Sequence, residues 1–246
     1  MTVTWEELGW EPLADGVGRV RLPVWDCTAG LVLGADRALL VDAGSSLAEG
    51  ARLRAGVRAL AGDRVTLLAL THPHFDHVFG AAGFPDAEVF AAEGARAAFG
   101  DAHAREELRA DAVRNGLDAE AAGEAARALV RPGHEVRDRL TLDLGGGREA
   151  LLADVGPGHT AHDLAVAVPG LAGGPAVVFC GDLVEESGEP QAGPDAVPGA
   201  WPAALDRLLE LGGEDALYVP GHGAVVDAGF VRAQRDALAD RFGVSR

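Results

Sequence analysis

Apolar residues gather in short dense runs along this chain, and most of the runs end in Asp, His or Gly. Gly30-Leu31-Val32-Leu33-Gly34, a turn at Asp36-Arg37, and Ala38-Leu39-Leu40-Val41-Asp42 predict a hairpin that closes at Asp42-Ala43-Gly44. The period then changes. Leu53, Val57 and Leu60 share one helical face, which predicts a helix over 47–61 with Gly62-Asp63 as its stop. Further strands are predicted at 65–70, Ala87–Ala91, Ala150–Val155, Ala176–Cys180 and Ala216–Val219. Residues 1–30 read as short strands and turns around Gly16, Gly18 and Pro23. From Glu93 to Val130 the chain is rich in Ala, Glu and Arg, with helical propensity broken near Gly100 and Asn115-Gly116. A short helix around 228–241 closes the pattern.

The residues at the ends of these runs carry more chemistry than the runs themselves. The strands predicted near 42, 70, 155, 180 and 219 lead into Asp42, His72, His159, Asp182 and His222, each able to bind or orient a metal ion. Strand ends that converge on one edge of a sheet are where α/β proteins build their sites. The densest group is Thr71-His72-Pro73-His74-Phe75-Asp76-His77, at the mouth of the apolar run Leu67-Leu68-Ala69-Leu70. In extended chain alternate residues share a face, so His72 and His74 can point at one ion. Asp76 and His77 come after a bend and can reach a second ion beside it. Neutral imidazole and carboxylate oxygen suit zinc and its borderline neighbours, iron and manganese included.

Charge narrows the field of partners. With 246 residues, 48% of them hydrophobic, the chain can bury a sizeable core, and one domain over 1–246 is the simplest organisation. A formal net charge of −17 argues against a nucleic-acid footprint or an anionic membrane surface, both of which recruit clustered positive charge. The start, Met1-Thr2-Val3-Thr4-Trp5-Glu6-Glu7, is neither basic nor apolar, and no run is long enough to cross a bilayer, so the expectation is a soluble, cytoplasmic protein. Cys27 and Cys180 lie in separate apolar segments and read as buried reduced thiols. His103 reads as a surface histidine and His134, in Arg131-Pro132-Gly133-His134, as a turn residue.

His72-Pro73-His74-Phe75-Asp76-His77, Gly158-His159-Thr160, Gly181-Asp182 and Gly221-His222 together resemble the metallo-β-lactamase superfamily, over nearly the whole span from Asp42 to His222. His159-Thr160-Ala161-His162-Asp163-Leu164, Gly181-Asp182-Leu183-Val184-Glu185 and Val219-Pro220-Gly221-His222-Gly223 resemble its glyoxalase-II-like branch of metal-dependent hydrolases. The resemblance implies an α/β fold, a four-layer αββα sandwich of two mixed sheets with helices outside. It says least about 93–130, whose composition suits solvated helices and whose place between the first ligand cluster and the next suits a helical insertion near the active site. It implies that His72, His74 and His159 hold a first metal, that Asp76, His77 and His222 hold a second, and that Asp182 bridges them. Asp42 and Thr160 would lie behind the ligands and orient them. Asp at 182, where some relatives place a thiolate, looks like the two-metal lineage.

Two cations, expected to be zinc, would generate a hydroxide nucleophile from a bridging water, with Asp76 as the catalytic carboxylate. The expected reaction is hydrolysis of an activated acyl bond, a thioester, lactone or amide, in a small-molecule substrate. Candidate pocket residues are Trp25, Asp26 and Cys27 in an early loop, His162, and Glu185, Glu186 and Ser187. Tyr218, the one tyrosine, sits in the strand leading to His222, where it offers no phenol from a pocket loop. The runner-up is an iron-dependent redox enzyme on the same scaffold, of the persulfide-dioxygenase kind. The flavin-linked type differs at His74, where it resembles HxExDH. A nuclease would need a basic surface, and a non-catalytic metal protein would need only four ligands. No heptad or exposed apolar stripe indicates an oligomeric state.

Overall fold

The computed structural model describes residues 4–244, so Met1-Thr2-Val3 and the last two residues of the expected 1–246 span lie outside the description. The predicted hairpin is present as β3 (Thr28–Leu33) and β4 (Ala38–Val41), antiparallel with Leu31 opposite Leu40. Before it come β1 (Glu11–Ala14) and β2 (Val17–Arg21), and after it β5 (Val65–Ala69), β6 (Glu88–Ala92) and β7 (His134–Val136). These seven form one sheet in sequence order, antiparallel up to β4 and parallel from β4 to β7. The second sheet has the order β12-β11-β10-β9-β8, from β8 (Arg139–Asp143), β9 (Glu149–Asp154), β10 (Leu164–Val168), β11 (Val177–Glu185) and β12 (Leu217–His222). There β11 and β12 are parallel and the remaining pairs antiparallel, so both sheets are mixed.

The continuous apolar runs make sense once both faces of each sheet are covered, because a strand buried on two sides needs no polar alternation. In β4 and β5, Leu39, Val41, Leu67 and Ala69 face the second sheet and pack with Leu152, Val166, Phe179 and Val219. Their neighbours Ala38, Leu40, Leu68 and Leu70 face outward and pack under α1 (Leu47–Ala61) through Leu53 and Val57. The outer face of the second sheet is covered by α5 (Trp201–Gly212) and α6 (Ala228–Phe242), through Trp201, Leu205, Leu208, Val231 and Leu238. This is the expected four-layer sandwich. Helix α1 begins and ends where predicted: the Ser46 side chain accepts from the Glu49 amide and Gly62 terminates it.

The 93–130 stretch contains a 3₁₀ turn (Ala95–Phe99), α3 (Ala102–Arg114) and α4 (Ala119–Arg127), with breaks at the expected Gly100 and Asn115-Gly116. Helix α3 lies against α2 (Phe75–Val78), a single turn formed inside the histidine cluster. His103 is on the exposed face of α3, with Glu107 3.4 Å away. His134 corrects the turn expectation: it opens β7, pairs with Phe90 and stacks on the Phe90 ring at 4.7 Å. The Pro132-Gly133 turn precedes it, and the aromatic neighbour makes the strand position favourable. Both cysteines are buried and free. Among the described residues no helix is long and apolar enough to cross a membrane.

Candidate metal centre

Strand order brings the predicted residues to one edge. Asp42 directly follows β4, Thr71 and His72 come shortly after β5, His74 precedes α2, and Asp76 and His77 lie within it. His159 lies beyond the end of β9, Asp182 lies in β11, and His222 ends β12. One detail differs from expectation: β11 does not stop at Cys180 but runs on to Glu185 through Gly181. Gly181 takes a left-handed φ of +54°, which breaks the register with β12 and turns Asp182 into the cluster. Gly221 is required by proximity, since a Cβ there would stand 1.8 Å from Asp182 Oδ1.

Three sets of donors converge: His72, His74 and His159 with Asp182, a first group; His77 and His222 with the same Asp182, a second group; and Asp76 and His77 with Cys27, which overlaps the second. Asp182 Oδ2 lies 3.7 Å from His72 Nε2, 3.5 Å from His159 Nε2 and 3.3 Å from His222 Nε2. Its Oδ1 lies 3.1 Å from His77 Nε2. Asp76 Oδ2 lies 3.3 Å from His222 Nε2 and 3.6 Å from His77 Nε2, which puts it with the second group.

The outer nitrogen of every one of these histidines faces an oxygen, and those partners assign the tautomers. His77 Nδ1 donates to Asp42 Oδ2 at 2.8 Å, and His222 Nδ1 donates to the Trp25 carbonyl at 2.7 Å. His159 Nδ1 donates to the Gln191 carbonyl at 3.2 Å, and His74 Nε2 to Asp195 Oδ2 at 3.0 Å. Thr71 Oγ1 gives its hydrogen to Asp42 Oδ2, so at 3.0 Å it accepts from His72 Nδ1. In the neutral rings the inner nitrogens therefore carry lone pairs. His159 Nε2 and His74 Nδ1 face each other at 3.0 Å, which in the neutral rings sets lone pair against lone pair and is repulsive unless a metal ion or a proton on His74 lies between. His72 Nε2 and Asp182 Oδ1 are buried without a hydrogen-bond partner among the described residues. Donors of this kind, all aimed inward and backed by oxygens, fit metal ions.

The electrostatics divide the donors: burial opposes charge on His74, but the Asp195 carboxylate outweighs it and raises that ring. Burial holds the imidazoles of His72 and His159 well below the usual range, His159 at about 4, so both remain neutral donors. Burial also opposes charge on His222, but the Asp182 and Asp76 carboxylates outweigh it and push that ring up to about 12. The second group thus draws positive charge, whether as protons or as a cation.

The model of the metallo-beta-lactamase superfamily matches residues 22–222. The chain belongs to the metallo-β-lactamase superfamily. Its sandwich is similar to the metallo-β-lactamase FIM-1 from Pseudomonas aeruginosa in a mono-zinc form, with TM-score 0.69 and 19% identity over 96% of each chain. It is similar also to a metallo-β-lactamase from Pontibacter korlensis, with TM-score 0.70 and 20% identity over 94% of this chain and 98% of that one. No curated protein matches the sequence. As a superfamily member the chain shares the fold of hydrolytic metalloenzymes and carries clustered His and Asp donors.

The expected pocket residues divide. Trp25 packs edge-on against Phe75 at 5.3 Å, donates from its indole to the Asn115 carbonyl, and lends its own carbonyl to His222. Asp26 is engaged in an ion pair with Arg21. Cys27, 2% exposed, lies beneath the second group, its Sγ 3.2 Å from the Asp76 carbonyl and 3.6 Å from His77 Nδ1, away from any open surface. Burial pushes its thiol up to about 11. His162 turns to the Glu93 carbonyl at 2.8 Å, and the Ser187 hydroxyl donates to Glu185. Glu186 accepts from the Ala224 amide. Thr160 donates to Asp163 at 2.7 Å and so braces the turn after His159 without touching that ring. Reading the sequence missed Asp195 and the Gln191 carbonyl, which sit in an exposed Gly- and Pro-rich loop that carries no motif. Thr71, adjacent to His72, was visible but unassigned.

Proposed function

We propose that the chain is a dinuclear metallo-hydrolase that cleaves an activated acyl bond of a small molecule, a thioester, lactone or amide. The observation that supports it is the donor set: inward lone pairs on His72, His74 and His159, a second group of Asp76, His77 and His222, and Asp182 within 3.7 Å of ring nitrogens of both. A purely structural ion would need four closed ligands, and this set offers more. Zinc suits it, as iron and manganese also do. When bound, such ions supply Lewis acidity and lower the pKa of water toward neutrality.

The protein's own groups supply the rest. Asp42, 2% exposed, holds His77 directly and His72 through Thr71, so the two innermost rings cannot turn. Asp182 holds the two donor groups at a fixed separation. Asp76, at the rim of the second group, is the carboxylate to orient the attacking water and take its proton. An Asp at 182 in place of a thiolate supports the glyoxalase-II-like, two-metal branch. The net charge of −17 speaks for a small substrate and against nucleic acid.

The test is a panel of thioester, lactone, β-lactam and phosphodiester substrates. The expected result is cleavage of one acyl class, abolished by chelator and restored by zinc. Iron in the purified protein with no hydrolysis across the panel would overturn the reading in favour of redox chemistry.

A further inference from the structure

The donors are not held equally. His72 and His77 are secured from behind by Thr71 and Asp42, both buried at the ends of β5 and β4. The other two members of the first group are secured from a single exposed loop between β11 and α5. Asp195 Oδ2 meets His74 Nε2 at 3.0 Å, and the Gln191 carbonyl meets His159 Nδ1 at 3.2 Å. No residue from 186 to 195 contributes to the apolar clusters of the fold. Few contacts position this segment, most of them near its ends: the Glu186 amide meets the His222 carbonyl at 3.3 Å and the Glu186 carboxylate accepts from the Ala224 amide at 2.7 Å, the Val197 amide meets the Gly158 carbonyl at 2.9 Å, and Arg241 meets the Pro190 carbonyl at 2.9 Å.

A loop with little burial and few hydrogen bonds lies at the low end of local stability. Here such a loop supplies the outer acceptors for two of the three histidines in one group, and for none in the other. If an ion in the first group favours these ring orientations, the docked loop favours the ion by the same free energy. We propose that Asp195 is a positioning residue for the first metal, and that through it the loop sets the affinity of that ion selectively. The inference rests on the two-metal reading above.

The experiment is a cobalt(II) titration of the full chain against a competing chelator, with occupancy at each position read by anomalous diffraction. Asp195→Ala should weaken first-group binding roughly 10- to 100-fold, the range for loss of a group that orients a ligand, and leave the second group unchanged. Asp195→Asn, which keeps an acceptor but loses the charge, should fall between. Glu189→Gln, in the same loop, should match the wild type. Limited proteolysis gives a second readout: metal should protect the loop in the wild type and fail to do so in Asp195→Ala. Equal binding of both ions in Asp195→Ala, or equal weakening at both, would overturn the proposal. A wild type that binds no ion in the first group would overturn the two-metal reading itself.

Discussion

Gly221 offers a steric probe of Asp182 that removes no donor group from the chain. A methyl at this position would stand 1.8 Å from Asp182 Oδ1 and 3.0 Å from the Asp182 amide nitrogen, where Cβ contacts below 3.0 Å are essentially never seen. In Gly221→Ala the carboxylate oxygen must therefore retreat by about 1.2 Å, the difference between those two distances. Asp is short and its backbone is fixed in β11, so the retreat has to come from side-chain rotation. That takes the oxygen out of line with His77 Nε2, now 3.1 Å away. A misplacement of about 1 Å costs on the order of 100-fold in turnover. Turnover should fall by at least that factor, and metal retained through dialysis should fall with it. Apo-protein stability gives an internal check, because the clash has one partner. Gly221→Ala should destabilise the apo-protein in the wild-type background and much less in an Asp182→Ala background, a coupling measurable by a double-mutant cycle in urea. Wild-type turnover and metal content in Gly221→Ala would refute the assigned position of Asp182.

Asp42→Asn should weaken metal binding roughly 10- to 100-fold by releasing His77 and Thr71, checked by chelator competition; unchanged affinity would mean that Asp42 is packing only. Asp163 tests the turn beside His159: burial, against hydrogen bonds from Thr160, pushes its carboxyl from 3.8 up to about 7. A raised carboxyl loses the folded state stability as pH climbs from the unfolded value through the folded one. In the metal-free protein the wild type should therefore lose up to roughly 4 kcal/mol relative to Asp163→Asn between about pH 4 and 7, then level off; parallel stability curves for the two metal-free proteins would contradict this. His103→Ala, on the exposed face of α3, should change stability by less than about 0.5 kcal/mol and leave turnover intact, and a large loss would show that the helical cover reaches the substrate.

The parts of the fold that could be read in advance are those where one physical signal dominates. Helix α1 is framed by Ser46 and Gly62 with Leu53 and Val57 on one face, and the strands that deliver Asp42, His72 and His222 are apolar because both faces are buried. Strand β10 is not legible because Leu164–Val168 is a short apolar run buried on both faces, and such a run has no periodicity that separates a strand from a buried helical turn. Edge strand β8 was missed because its largely exposed Arg139–Asp143 shows no buried face. Helix α5 carries Pro202 in its first turn, which reads as a break although proline is tolerated there. In the site, the donors were legible because they come after strands or sit in one short cluster. Their supports were legible only when they too directly followed a strand, as Asp42 does. Asp195 and the Gln191 carbonyl act from a loop whose conformation depends on contacts distant in sequence, such as Val197 with Gly158. Cys27 shows the converse: its place in an early loop suggested a pocket, but pairing of its backbone with His222 carries it under the second group.

The central claim is that this cluster holds two ions. Elemental analysis of protein purified without added metal tests it most directly, alongside the same analysis of Asp182→Asn. The account predicts close to two equivalents of a divalent metal per chain, zinc foremost, and a clear loss in the variant. Fewer than one equivalent in fully active protein would contradict it.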